Sequence, residues 1–413
     1  MAVAARRWLR PGVVVHDPAD IVDTLLADFA FALRSRGFNV VGYVQHNNRG
    51  SAVKGQGCAR QIDYLDITSA TSRTVDRAAA VDYLRHALHE DVDLLVISHF
   101  SACTGATEGV GATFDPDGTN GLPLLTSIAG QCIHKWHNYA RRDGSMIAPD
   151  LKALWSWWGP EHLYRDLALG VAADEVRGIV CGPRWIMIEG PAGVGLAPMP
   201  GNPRDLLPRL PTLARRSLAE LAALTQSWNP LEMAVGVAAI NAHYNRFDVD
   251  GQAGNGIKSF RKLTGPVVAI GAFPGIGGIL PNSAVIEADP RPGEFPMSAM
   301  DTLLSGCSAA VVNASALVNR SLPRVLRLAR NRPVALIGPA TPMTPRLHDY
   351  GLEVLGGLVV TDTNGLATAI RAGAAAREFN RFGRFVHISR GCSDKDSQLT
   401  PEPAARHCSS FRS

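Results

Sequence analysis

Apolar positions fall into two alternating patterns over the first 150 residues. Short continuous apolar runs, "GVVVH" from Gly12, "VVGYVQ" from Val40, "DLLVIS" from Asp93 and "LPLLTSI" from Leu122, read as buried strands. Between them, "DPADIVDTLLADFAFALRSRG" carries apolar residues at helical spacing, with Asp17 at the N-cap, Pro18 at N1 and Gly37 past the end. A Gly- and Asn-rich loop, "HNNRGSAVKGQG", a short "QIDYLDIT" segment and a second helix, "DRAAAVDYLRHALHE", fill the remainder. Strands alternating with helices predict an α/β domain with a parallel sheet over residues 1–150.

The pattern changes over residues 151–250. After the Trp-rich "LWSWWGPEHLYRDLALGV", three short runs, "RGIVCG", "RWIMIE" and "GVGLA", are joined by Gly and Pro turns and predict an antiparallel meander. Two helices follow, "PTLARRSLAELAALT" and "PLEMAVGVAAINAHYN", so this part reads as α+β. "DVDGQAGNG" reads as a linker. Over residues 256–390 the α/β alternation returns, with strands "PVVAIGAF", "AVIEAD", "AAVVNAS", "PVALIGPA" and "GLVVT". Residues 391–413 are polar and Pro-containing and predict a disordered tail. The fold class is therefore α/β overall, in three domains.

The helix that starts at Pro230 poses a question of chemistry. Asn229, Pro230 and Glu232 match an N-cap, a proline at N1 and an acid at N3, the arrangement of a capping box. At about 100° per residue Asn241 shares a face with Ala234, Val237 and Ala238, and Glu232 shares another with Val235, Gly236 and Ala239. Glu232 is either a cap or a site residue; Asn241 is either a satisfied core amide or a ligand contact. The helix is so poor in bulk that it must pack its backbone close to a neighbour.

Composition narrows the class. The chain has 413 residues, 46% hydrophobic and 19% charged, with a formal net charge of +4 and no stretch of uninterrupted apolar residues long enough to span a bilayer. A cytoplasmic protein that engages neither membrane nor nucleic acid is expected; its oligomeric state stays open, a homo-oligomer included. Seven widely spaced cysteines without a C-x-x-C pair predict neither a disulfide framework nor a structural zinc site.

In an open parallel sheet ligands bind beyond the carboxyl ends of strands. After the first strand of the last domain stands "GAFPGIGG", with Gly271, Phe273, Pro274, Gly275, Gly277 and Gly278; it is not G-x-G-x-x-G. Glu287 and Asp289 follow the second strand, where an acid can accept hydrogen bonds from a ribose. Asn313, Ser315 and Asn319 follow the third. "GPATPMTP", with Gly338, Pro339, Thr341 and Pro342, follows the fourth and is either a ligand loop or a structural turn. In the first domain the corresponding junction, "VHDPADIVDTLL", contains no phosphate loop, and Asp17 and Asp20 oppose a bound phosphate. His99 and Cys103 follow the strand "DLLVIS". Cys132, His134 and His137 in "QCIHKWH" are soft-metal ligand types within six residues, at a spacing that matches no known site. No Ser-His-Asp order, nucleophile elbow or H-E-x-x-H occurs.

Taken in order, "GPRWIMIEGPAGVGLAPMP", "SWNPLEMAVGVAAINAHYN", "VVAIGAFPGIGG", "VIEADPRPGEFP", "AAVVNASALVNRSL", "LIGPATPMTP" and "YGLEVLGGLVVTD" resemble the "putative heavy-metal chelation" domain family over residues 160–390. The resemblance implies an enolase-N-terminal-like domain beside a Rossmann-like domain, with a site in the cleft between them. Asn229, Glu232, Asn241, Phe273, Pro274, Glu287, Asn319, Gly338, Pro339 and Pro342 match its motifs; "VVNASALVN" departs by lacking a Thr-Gly pair before Leu-Val-Asn. Through "IVDTLLADFAFALRSRGFNVVGYVQ", "DVDLLVISHF" and "GLPLLTSI", the first part resembles an uncharacterised nucleotide-triphosphatase-like family associated with molybdenum transport. There "SHFSACTGATEGVG" replaces the family's Asn-Lys-Phe-Gly. The leading expectation is a protein that binds a small ligand, metal or metallocofactor, in molybdenum or heavy-metal homeostasis. An enzyme using a nucleotide-type cofactor, S-adenosylmethionine or a dinucleotide, is the alternative, and a scaffold in metal delivery the third.

Overall fold

The computed structural model describes residues 9–17, 19–45, 62–75, 92–99, 123–140 and 144–391. The expected helix "DRAAAVDYLRHALHE", the loop "HNNRGSAVKGQG", Cys103 and the tail after Gly391 lie outside the described residues. The chain builds three sheets, and the α/β class expected from the alternation is the one found.

The first sheet has the order β4-β3-β2-β5-β6-β1-β7. Strands β1 (Gly12–His16), β2 (Val40–Gln45), β5 (Leu94–Ile97), β6 (Leu124–Ala129) and β7 (Ser145–Ile147) are parallel. Neither edge was foreseen: β7 is one, and a hairpin forms the other. "QIDYLDIT" and the residues after it form an antiparallel hairpin, β3 (Ile62–Asp66) and β4 (Thr71–Val75), whose turn is held by Asp66 accepting from the Thr68 and Ser69 amides. Helix α1 (Ala19–Ser35) covers this sheet; beyond it Gly37 takes φ +95°, the left-handed stop predicted for it. Trp155 and Trp158 of the helix Leu151–Trp158 meet Phe29 of α1 and Phe38 edge-on, at 5.3 and 5.2 Å between ring centres. The described residues of this part include the short helix Ile133–Ala140 as well.

The second sheet is the expected meander, β8 (Gly178–Cys181), β9 (Trp185–Glu189) and β10 (Val194–Pro198). The run "PTLARRSLAELAALT" does not form one helix: Ser217 opens a new capping box with Glu220, so the chain turns there before Leu218–Ala222. The helix Pro230–Tyr244 follows, and its residues from Met233 to Ala242 are all buried. A helix apolar on every side is a core helix, so the two faces separated by the sequence argument both face protein. Its close approach is to β10: a Cβ on Gly195 would lie 1.9 Å from the Ala238 carbonyl oxygen, and one on Gly236 would lie 2.7 Å from Thr225.

The third sheet runs β11-β18-β17-β16-β15-β12-β13-β14. Strands β12 (Val267–Ile270), β13 (Ser283–Glu287), β14 (Phe295–Pro296), β15 (Ala309–Asn313), β16 (Val334–Ile337) and β17 (Leu352–Val360) are parallel, laid down in the order of a doubly wound sheet with its reversal between β12 and β15. Three strands escaped the sequence pattern, the two-residue β14 among them. β18 (Gly383–Ser389) returns antiparallel along β17, and β11 (Gln252–Ala253), within the expected linker, pairs with β18. One buried cluster joins residues of all three parts, among them Phe29, Trp158, Ala238 and Leu336.

Candidate functional site

The residues singled out in the sequence separate into three places. The first is a crevice at the carboxyl ends of β12, β13 and β15. Gly271 ends β12 with φ +90°, and a Cβ there would meet the Asn313 Cβ at 2.7 Å, so only glycine lets these two strand ends approach. Asn313 Nδ2 donates to the Ala272 carbonyl at 3.0 Å, and its Oδ1 accepts from the Ser315 amide at 3.0 Å. Glu287 closes β13, half-buried, with its carboxylate near its own chain at the Ala288 amide. Phe273 is half-buried and Pro274 exposed beside them; Gly275, Gly277 and Gly278 have open space where a side chain would stand. This is the topological switch point of the sheet, and Glu287 and the exposed Asp289 bring acidic side chains to it.

The second place is closed. Asn241 is fully buried, and its Nδ2 donates to the Leu196 carbonyl at 2.8 Å and the Ala340 carbonyl at 2.9 Å. One turn on, buried Asn245 donates to the Thr341 carbonyl at 3.0 Å and accepts from the Met343 amide at 2.9 Å. The loop "GPATPMT" from Gly338 to Thr344 is buried throughout. Its backbone groups, which were expected to be free for a ligand, are taken by these two amides. Gly338, Pro339, Thr341, Pro342 and Asn241 therefore form a joint between the helix Pro230–Tyr244 and the third sheet, not an open ligand surface. Asn241 is thus a core amide whose nitrogen is satisfied, while its buried Oδ1 has no hydrogen-bond partner among the described residues.

The third place is a groove of about 2470 Å³ bordered by Trp158, Tyr164, Trp228, Arg320, Arg327 and Tyr350. It is several times larger than a small-molecule pocket. Of the predicted residues only Glu232 lines it. Glu232 makes no capping box: Asn229 caps the helix alone, accepting from the Leu231 and Glu232 amides, while the Asn229 amide donates to Ser227 Oγ. The Glu232 carboxylate turns instead to the Ser227 hydroxyl and Arg209, which hold its pKa below the ordinary value. Asn319 is exposed and accepts from the Ser321 amide and hydroxyl. Its neighbour Arg320, missed by the sequence reading, has φ +59°, stacks over Trp228 and Tyr164 and donates to the Thr225 and Ser227 carbonyls.

The Cys132, His134 and His137 set does not assemble. Cys132 is buried and disulfide-bonded, which removes its thiolate as a metal ligand. His134 and His137 are exposed on the following helix. Among the described residues no three of His, Cys, Asp and Glu come together as a complete metal-ligand set. The free thiols Cys181 and Cys307 are both pushed up in pKa by burial, Cys181 to about 11, so neither is poised as a thiolate.

A further set of side chains, unconnected in the sequence reading, gathers at the carboxyl end of the first sheet. His99 Nε2 lies 3.0 Å from Asp23 Oδ2, and the His16 ring stands edge-on to His99. The position of His16 at the carboxyl end of a buried strand is the signal that could have found it.

Residues 259–389 match a family model described as "Putative heavy-metal chelation" (DUF364), and residues 164–244 match a second model with the same description. Residues 12–157 match one described as a protein of unknown function. The chain resembles a crystal structure of a DUF364 protein of unknown function from Desulfitobacterium hafniense DCB-2, at 30% identity and a TM-score of 0.49, covering 55% of this chain and 97% of that one. A second DUF364 protein, from Pyrococcus horikoshii, is 18% identical at a TM-score of 0.47, covering 55% of this chain and 98% of that one. The molybdenum import ATP-binding protein ModC 2 of Bradyrhizobium diazoefficiens is 27% identical over 165 residues, 36% of this chain but only 18% of that protein's length. No described helix is long and apolar enough to cross a membrane. By the two family models and the 30% identity that runs through nearly all of the Desulfitobacterium protein, the chain belongs, through residues 164–389, to the family described as "Putative heavy-metal chelation".

Proposed function

We propose that this protein binds a heavy-metal species in the crevice at the carboxyl ends of β12, β13 and β15. The observation that carries this reading is the approach of Gly271 to Asn313 beside Glu287 at the switch point of the third sheet. The donors there, two carboxylates, an amide and a hydroxyl, are hard oxygen ligands and too few to strip and hold a bare soft ion. They suit the polar rim of a metal already chelated by a small molecule, which hydrogen bonds from Asn313, Ser315 and the glycine-rich backbone would orient. The family description supports the metal, and the ModC 2 similarity supports molybdenum as one candidate.

Native mass spectrometry of the full chain purified without chelator tests this. A mass excess matching a metal or metal chelate, lost in Glu287→Gln and Asn313→Ala, is the expected result. A bare chain that also fails to take up molybdate, Zn²⁺ or Ni²⁺ counts against it.

The strand order favours one second reading. Glu287 ends the strand whose acidic terminus binds ribose in dinucleotide folds, so a nucleotide-type ligand would engage the same crevice. Copurified adenine nucleotide in that spectrum would put this reading first.

A further inference from the structure

We infer that the carboxyl edge of the first sheet is a site for a divalent transition-metal cation, held by the imidazoles of His16 and His99 with Asp23 behind them. His16 is the last residue of β1 and His99 follows β5 by two positions, both at the carboxyl end of a parallel sheet where ligands are received. His99 takes φ +54°, a left-handed conformation that costs a non-glycine residue on the order of 1 kcal/mol or more. It is held there by its amide, which donates to Ser127 Oγ at 2.8 Å. Such strain persists where surrounding structure enforces it, and here it aims an imidazole.

Asp23 settles which nitrogen is offered. A carboxylate only accepts, so at 3.0 Å His99 Nε2 carries the proton donated to Asp23 Oδ2 and Nδ1 presents the lone pair. A carboxylate behind the far ring nitrogen is the common outer partner of a metal-bound histidine; it fixes the tautomer and raises the basicity of the ligating nitrogen. The Asp23 side chain is nine-tenths buried, its Oδ2 pairs with His99, and its Oδ1 is buried without a hydrogen-bond partner among the described residues. The ring centres of His16 and His99 are 5.8 Å apart. Two imidazoles on one ion, with metal–nitrogen distances near 2.0–2.1 Å, place their centres roughly 4.5–6 Å apart.

Two nitrogens are not a complete ligand set. The remaining positions belong to water or to a chelating molecule that brings the metal, which makes this a site of exchange and not of permanent storage.

Titration of the full chain with Co²⁺, read by its d–d absorption and by calorimetry, tests the assignment. The wild type should bind one Co²⁺ at this site. His99→Asn, chosen because asparagine tolerates the left-handed backbone, and His16→Gln should each raise the Kd at least tenfold. Asp23→Asn should raise it about 10- to 100-fold. Glu175→Gln, at an exposed position outside this site and outside the third sheet's strand ends, is the control and should leave it unchanged. Absence of Co²⁺ binding, or binding unaltered in both histidine variants with thermal melts like that of the wild type, overturns the assignment. So does molybdate binding that His99→Asn abolishes, because the site would then be one for an anion.

Discussion

Arg346 Nη1 donates to Asp166 Oδ1 at 2.7 Å, and this pair lies where the three parts of the chain meet. Asp166, on the helix Leu163–Leu169, is fully buried; Arg36 at the end of α1 donates to its other oxygen at 2.6 Å, and the Tyr350 hydroxyl does so at 2.9 Å. Burial and the adjacent carboxylate push the Tyr350 pKa well up, so the hydroxyl remains a donor. Arg36 also pairs with Asp349. One carboxylate thus ties residues 130 and 180 positions away into a single cluster.

Removing that carboxylate leaves two guanidinium groups facing each other in a largely dry junction. Asp166→Ala should destabilise the protein by about 3–5 kcal/mol, measured as a lowered denaturation midpoint. A change under about 1 kcal/mol would show that the cluster is not holding the parts together.

The two asparagines of the buried joint should matter for stability and not for ligand binding. Asn241→Ala leaves the Leu196 and Ala340 carbonyls without this donor, and Asn245→Ala leaves the Thr341 carbonyl without its donor and the Met343 amide without its acceptor. Each should cost roughly 2–3 kcal/mol in equilibrium unfolding. Retained metal or ligand uptake by the folded variants would confirm the joint; selective loss of uptake at unchanged stability would return Asn241 to the site.

Gly195→Ala should disrupt the packing of β10 on the helix Pro230–Tyr244, because the new methyl would stand 1.9 Å from one carbonyl oxygen and 2.1 Å from the Ala242 amide nitrogen. Neither backbone can yield easily, and a loss of about 3 kcal/mol or more is expected. Gly201→Ala, with open space at its Cβ, is the control and should melt like the wild type.

Stability should fall with acid through His162. Its ring stacks on Trp158 at 3.9 Å, and burial lowers its pKa from 6.5 to about 4, with hydrogen bonds to the Trp158 and Gly159 backbone opposing in part. The folded state therefore favours the neutral ring. That contribution is whole above pH 6.5, where the unfolded histidine is also neutral, and is lost as pH falls towards 4 while only the unfolded state takes up the proton. A loss of roughly 2 kcal/mol is expected over that window, less than the full shift because the ring edge borders the groove. His162→Phe should keep the stacking and flatten this part of the pH dependence. Parallel profiles for the two proteins from pH 7 to 4.5 would refute the assignment.

What the sequence by itself determined is what neighbouring residues encode. The apolar runs placed β1, β2, β5, β6, β9, β10, β12, β15 and β16, because a strand buried on most of its length needs no partner information to be recognised, and they also placed the half-buried β8 and β13. Asn229 and Pro230 marked the start of the long helix, since a cap is satisfied within three residues. The rule that ligands approach strand ends brought out Gly271, Glu287 and Asn313 before any coordinates did. Short or partly exposed strands such as β4, β14 and β18 carry too little pattern to stand out alone. Only the tertiary structure decided what each polar residue does. Asn241 and Asn245 have the same composition around them as a ligand site would, yet their partners come from a loop about a hundred residues away and close the space. Glu232 fits a capping box locally, but Arg209 and Ser227 offer its carboxylate a stronger, partly charged partnership than the single amide at the cap. His16, Asp23 and His99 are separated by a strand, a helix and a sheet crossover. Their meeting follows from the order in which the parallel strands are laid down, and a hydrogen bond across 76 positions leaves no trace in the local pattern of either residue.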